Sequence, residues 1–167
     1  DMSQHHLQGV EMANLVPERS TDPEVRQLAF DIAETQNNQV GQMRGWLALW
    51  GVSATGGERM AWMAEAHGDH GMPGMDMSPG ALMPGMATDD ELANLRSLSG
   101  TAFDVEFLRL MIRHHQGGSE MAQYAAEHAD QAVVRSLARS IDETQSAETG
   151  TMTDMLAARG GTPLPPP

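Results

Sequence analysis

Cysteine is absent from the 167-residue chain. That excludes disulfides, thiolate metal sites and cysteine nucleophiles, and leaves methionine and histidine as the softer metal ligands. Lysine is absent too: the ten basic residues are all arginine, set against 23 acidic ones, for a formal charge of -13. Such a balance supplies no basic stripe for nucleic acid or for an anionic membrane surface. No apolar run is long enough to span a bilayer. Residue 1 is Asp, so a signal peptide is expected to lie outside the sequence. Aromatic residues are few, with three Trp, three Phe and one Tyr, whereas methionine is abundant at 14.

What is present is a repeat. Residues 1–51 laid over residues 110–160, with a constant offset of 109 and no gap, share 21 identities in 51 positions. Among the pairs are Met2/Met111, His5/His114, His6/His115, Gly9/Gly118, Met12/Met121, Arg26/Arg135, Gln36/Gln145 and Met43/Met152. Position 1 aligns with Leu110, so the first helix is expected to extend ahead of the residues given. Each copy reads as two helices. Phe107, Met111, His114, Gly118, Met121 and Ala125 recur at three- and four-residue intervals, and Val134, Leu137, Ala138, Ile141, Gln145, Glu148 and Met152 form a second stripe. In the first copy the turn is marked by Pro17 and by Thr21-Asp22-Pro23-Glu24, with Pro23 suited to a helix start.

The expected fold is therefore all-α: a ferritin-like four-helix bundle of two repeated hairpins joined by a long crossover, in one domain over 1–167. Helices are expected near 1–17, 22–50, 102–128 and 131–159. The crossover, about 52–101, is rich in Gly, Met, Pro and His, and Thr88-Asp89-Asp90-Glu91 forms a capping box ahead of a short helix. A proline-rich tail closes the chain.

Helical spacing decides which polar residues face inward. His114 and His115 straddle the Met111 stripe, and His5 and His6 do the same beside Met2. Gln145 and Glu148 face the core from the partner helix, where the first copy has Gln36 and Gln39. Glu11 and Glu120 fall on the opposite, solvated side. Asp104 shares the His115 face but lies about 16 Å further along the helix, too far for one ion. Met2/His6 and Met111/His115 are i,i+4 pairs that place a thioether beside an imidazole, a combination suited to copper, while imidazole alone also suits zinc. In the crossover His67, His70, Met72, Met75 and Met77 form a second candidate metal site, since no apolar periodicity explains them. The competing reading is structural: the His pairs close internal hydrogen bonds, and most methionines fill gaps in the core.

The stretch Met111-Ile112-Arg113-His114-His115-Gln116-Gly117-Gly118-Ser119-Glu120-Met121-Ala122, with Phe103-Asp104 and Phe107 ahead of it, resembles the signature of the DUF305 family. Met2-Ser3-Gln4-His5-His6 through Met12-Ala13 repeats it. The resemblance implies a ferritin-like helical bundle in secreted, periplasmic or lipid-anchored bacterial proteins, some of them linked to copper. It marks His5, His6, His114 and His115 as metal residues, with Met2, Met111 and Asp104 beside them. No Glu-x-x-His motif occurs, which argues against a carboxylate-bridged di-iron oxidase. The expectation is an extracytoplasmic metal-binding protein without turnover, whose partners are the ion, a second copy of the chain, or a metal-exchange protein.

Overall fold

The computed structural model describes residues 1–55, 60 and 82–167. Among them are five helices and no strands: α1 Met2–Arg19, α2 Pro23–Leu49, α3 Asp89–Ser97, α4 Gly100–His128 and α5 Ala132–Ala158. The four long helices end within two residues of the spans expected from periodicity. Pro17 does not end α1. It sits in the last turn and the helix runs on to Arg19, because a proline this close to the C-terminus removes only one ladder bond. The real stop is Ser20, followed by Asp22, whose carboxylate accepts from the backbone N–H of Glu24 (2.9 Å) and Val25 (3.3 Å) and caps α2, with Pro23 in its first turn.

Each hairpin is locked by the same arginine. Arg26 donates to the carbonyls of Pro17 (2.8 Å) and Ser20 (2.9 Å), at the end of α1. Its repeat mate Arg135 donates to Ala129 (2.6 Å) and Asp130 (2.8 Å), at the end of α4. A cation at a helix C-terminus satisfies carbonyls that have no intrahelical partner and complements the helix dipole. α1 packs on α2, α4 on α5, and α1 on α4.

The main core lies at one end of the molecule. There the second half of α1 (Met12, Val16) and the first half of α2 (Val25, Ile32) meet Phe103, Phe107, Leu108 and Met111 of α4 and Met152 and Leu156 of α5. Each such side chain contributes roughly 1.5–3 kcal/mol on burial. Leu92 and Leu95 of α3 complete it. α3 begins with the expected capping box: Thr88 Oγ1 accepts from Glu91 N–H (3.2 Å) and Glu91 Oε2 accepts from Thr88 N–H (2.8 Å). Arg159 clamps this end, donating to Asp22 Oδ2 (2.5 Å) and Glu24 Oε2 (3.1 Å) across from α5 to α2.

Ahead of α3, residues 84–87 form a strap across α1 and α4. Gln8 holds it with two bonds to Ala87, one donated to the carbonyl (2.9 Å) and one accepted from the N–H (2.7 Å). The strap lies so close to α4 that a Cβ on Gly117 would stand 2.1 Å from the Pro84 carbonyl oxygen. Gly85, at φ +75°, would place a Cβ 2.3 Å from the Arg113 carbonyl. Both glycines are demanded by contact with backbone, which cannot swing aside.

Candidate functional site

Where α1 crosses α4, the two His-His pairs form a file of four buried imidazoles. The inner rings, His5 and His114, stack with centroids 3.9 Å apart and planes 32° from parallel. His6 lies 6.4 Å from His5, and His115 lies 6.1 Å from His114; His6 and His115 are in turn close enough to feel each other's charge. Neighbouring residues on a helix project about 100° apart, so one member of each pair meets the other repeat and the second turns toward its own hairpin partner.

Every ring has its own Nε2 partner. His5 pairs with the Pro84 carbonyl (2.9 Å), His114 with the His5 carbonyl (3.0 Å), His6 with Gln39 Oε1 (2.7 Å) and His115 with Glu148 Oε2 (2.8 Å). The repeats thus diverge at both rings: the inner imidazole meets the strap in the first copy and α1 in the second, and the outer one meets an amide in the first copy and a carboxylate in the second. Among the described residues, no three His, Asp or Glu side chains converge as an ion would require. The four imidazoles lie close together, each bonded to a partner of its own.

Burial disfavours the charged form of His5, His6 and His114. Desolvation pushes His5 down to about 3 despite its bond to the Pro84 carbonyl, and His6 to about 4 despite Gln39. His114 is driven well below its ordinary value, by desolvation first and then by its neighbour His5. Neutral imidazole is the form that binds metal.

Around the file lies more buried polarity than the fold satisfies. The Nδ1 atoms of all four histidines and both amide atoms of Gln36 and of Gln145 are buried without a protein partner. Buried polar atoms are seldom left this way. The two glutamines are repeat mates, and each sits over a glycine: a Cβ on Gly9 would stand 2.4 Å from Gln36 Oε1, and one on Gly118 would stand 2.4 Å from Gln145 Oε1. Gly9 and Gly118 are therefore space for an amide. The pattern reading did not assign that role, although two glycines repeated in register inside helices were its signal.

A second cluster abuts the first. Met60, Met83 and Met121 are buried together, with Met2, Met86 and Tyr124 packed against them. Met2 comes from the start of α1, Met121 from α4, Met83 from just before the strap and Met86 from within it; Met60 donates its backbone N–H to Asp1 Oδ2 (3.2 Å). Pro84, which accepts from His5, follows Met83 directly, so the strap connects the methionine cluster to the His5 ring.

The expected site residues divide accordingly. Met2 joins the methionine cluster. Met111, its repeat mate, is buried in the main core with Phe103 and Phe107 and stands apart from it, since the longer N-terminal half of α4 surrounds it with apolar side chains. Asp104 is buried at that same core end, with Oδ1 unpartnered, and is not part of the histidine file. Glu148 does reach His115. Glu120 is half-buried rather than fully solvated, and desolvation raises its carboxyl pKa, whereas Glu11 is exposed and pairs with Arg96. His67, His70, Met72, Met75 and Met77 lie outside the described residues. Met60, Met83, Met86 and Met121 were not singled out from sequence. Only their long-range convergence distinguishes them from ordinary core methionine.

A family model described as a domain of unknown function, DUF305, matches residues 1–156. The chain belongs to the DUF305 family. A DUF305 protein of Streptomyces coelicolor, inferred to be secreted, superposes with a TM-score of 0.87 at 42% identity, covering 99% of this chain and 93% of that one. A DUF305 fragment from Deinococcus radiodurans gives 0.74 at 35% identity, covering 94% and 91%. CopM in its Cu(II)-bound form gives 0.69 at 27% identity, covering 94% and 91%; CopM is also known in Cu(I)-bound, Ag-bound and apo forms. A search of curated proteins gives no match. Among the described residues of this DUF305 chain, no helix is long and apolar enough to cross a membrane.

Proposed function

We propose that this DUF305 protein binds and hands on copper outside the cytoplasm, chiefly as Cu(I), within a ferritin-like arrangement of its four long helices. The observation that carries this reading is the convergence of Met2, Met60, Met83, Met86 and Met121, at the strap to which His5 bonds, in a chain without cysteine. Thioethers are soft, uncharged ligands that suit Cu(I) and discriminate against zinc and the hard divalent cations. They release no proton on binding, so capture at such a cluster varies little with pH. His5, His6, His114 and His115 serve in this reading as nitrogen donors, with the Glu148 carboxylate beside His115. Engaging them requires an imidazole to give up its present Nε2 partner or to turn its unpartnered Nδ1 toward the ion. His67, His70, Met72, Met75 and Met77 serve in this reading as the first point of capture. The likeness to CopM supports copper over zinc, and the Streptomyces relative supports an extracytoplasmic location.

A structural reading is favoured by a different observation: each buried Nε2 already has a protein partner. On that reading the histidines only knit the repeats together. The two separate on a titration of purified protein with Cu(I) or Ag(I) under a competing chelator. Met2→Leu, Met83→Leu and Met121→Leu combined keep apolar volume nearly constant, and are expected to remove at least one tightly bound equivalent while the helical fold is retained. Unchanged stoichiometry and affinity in the triple variant would exclude the cluster as the site.

A further inference from the structure

The histidine file is enclosed by helices and by one strap of non-helical chain. His6 and His115 bond to Gln39 of α2 and Glu148 of α5. His5 bonds instead to the Pro84 carbonyl of the strap, and Gly85 lies against α4, where a Cβ on it would stand 3.1 Å from His114 Cα. The strap is a unit: Met86 N–H donates to the Met83 carbonyl (3.1 Å) and closes a turn. Its C-terminal end is fastened, because Thr88 and Glu91 form the α3 capping box and Glu91 accepts two bonds from Arg113 of α4 (2.9 and 2.6 Å). The hydrogen bonds on the rest are few. Besides the bond from His5 there are the two between Gln8 and Ala87, and a long one from Arg113 to the Met86 carbonyl (3.4 Å). None belongs to a helix ladder, and a segment held in this way opens locally at less than the free energy of global unfolding.

Met83 stands where the thioethers meet this strap. It is buried with Met121 of α4, and Met2 of α1 packs against the same cluster. The methionines therefore span the joint between strap and helices, so an ion coordinated by Met83 together with Met2 or Met121 cross-links the two. We propose that the strap is a lid on the histidine file, hinged at Thr88, and that a soft monovalent ion bound between Met83 and the helix methionines holds it shut. This rests on the copper reading above and adds regulation to it. Opening parts His5 Nε2 from the Pro84 carbonyl and bares the ring; loading keeps the two together. An ion that binds the closed arrangement and not the open one lowers the open population by a factor of 1 + [ion]/Kd, about a hundred-fold when the free ion is at about a hundred times Kd.

Amide hydrogen exchange on the full chain, followed by NMR, reads the lid at the Ala87 N–H, whose partner is Gln8 Oε1. Without metal, Ala87 is expected to exchange roughly ten-fold or more faster than Leu108 and Met111 in the buried part of α4, and with a weaker dependence on urea. Ag(I), a redox-inert probe for Cu(I), is then added under a competing chelator to about a hundred times its Kd, and is expected to slow Ala87 by up to about a hundred-fold. Met83→Leu keeps the apolar volume but removes the thioether at the strap, and is expected to abolish the slowing; Met121→Leu is expected to reduce it at the same free Ag(I). Ala87 exchanging no faster than the α4 amides, or unchanged by bound Ag(I), overturns the lid and leaves the copper reading standing. Slowing that persists undiminished in both variants overturns closure by the methionines. Failure of the unsubstituted protein to take up Ag(I) overturns the copper reading and the ion-held lid with it.

Discussion

One substitution, glycine to alanine inside a helix, is expected to act with opposite sign at two positions. Gly150 of α5 has nothing within 4 Å of where a Cβ would be placed, so alanine there contributes helix propensity alone, up to about 1 kcal/mol of added stability. Gly117 of α4 gains the same propensity, but its Cβ would meet the Pro84 oxygen at 2.1 Å, the Pro84 carbon at 2.3 Å and the Gly85 nitrogen at 2.7 Å. These are backbone atoms, so the strap itself must lift. Lifting it breaks the bond from His5 to Pro84 and leaves a buried imidazole nitrogen unpaired, at about 1–3 kcal/mol. It also breaks both Gln8–Ala87 bonds, at about 1 kcal/mol each. Offset by the gain in propensity, the net loss is about 2–4 kcal/mol. At about 2–4 °C per kcal/mol for a chain of this size, Gly117→Ala is expected to lower the melting temperature by roughly 5–15 °C and Gly150→Ala to raise it by up to about 4 °C. Thermal melts followed by circular dichroism read both. A neutral or stabilising Gly117→Ala would refute the placement of the strap against α4, and with it the closure of the histidine file by Pro84.

Further outcomes follow from the same contacts. The unfolded chain protonates its histidines near pH 6.5, while in the fold His5 holds out to about 3 and His6 to about 4; stability is therefore full above pH 6.5 and falls as pH drops toward 4, by on the order of 1 kcal/mol per pH unit for each ring. Urea unfolding at pH 7, 6 and 5 reads that slope, and a flat profile would mean the rings are hydrated. Glu148→Gln, which restores the chemistry of Gln39 at the equivalent position, is expected to cost under about 1 kcal/mol, whereas Glu148→Ala strands His115 Nε2 and costs about 1–3 kcal/mol; equal effects would deny the hydrogen bond. Asp22→Ala removes both the α2 cap and the Arg159 clamp, so denaturant melts should show a loss of about 1–2 kcal/mol, exceeding that of Arg159→Ala, which spares the cap.

The legible part of this molecule was whatever repeats locally. Four helix spans follow from apolar spacing at three and four residues, and the α3 cap follows from Thr88 and Glu91 three residues apart. Inward placement of all four histidines was also legible, because an imidazole beside a Met stripe has only one side of the helix to occupy. Their mutual arrangement was not. Whether His5 faces His114 or a glutamine depends on where α1 crosses α4, and a helical wheel contains no crossing point. The methionine cluster was hidden for a related reason: Met2, Met60, Met83 and Met121 are brought together by the crossover's return over α1 and α4, a long-range path that periodicity does not encode.

The same reasoning explains why an in-register repeat yields an asymmetric molecule. The 109-residue offset carries His5 onto His114 and Gln36 onto Gln145, and the structure honours both: the inner rings stack, and each amide sits over its glycine. Asymmetry enters where one copy has a neighbour the other lacks. Met111 is sealed in the core with Phe103 and Phe107, while Met2 packs against Met60, Met83 and Met121. His115 meets Glu148, while His6 meets Gln39. One end is closed by aromatic packing and the Arg159 clamp; the other gathers thioethers, an apolar cavity and exposed tryptophan. On the copper-binding reading proposed above, the ion must enter and leave, and among the described residues the second end combines thioethers with an opening. Duplication supplied the scaffold, and the departures from symmetry supplied a place for chemistry.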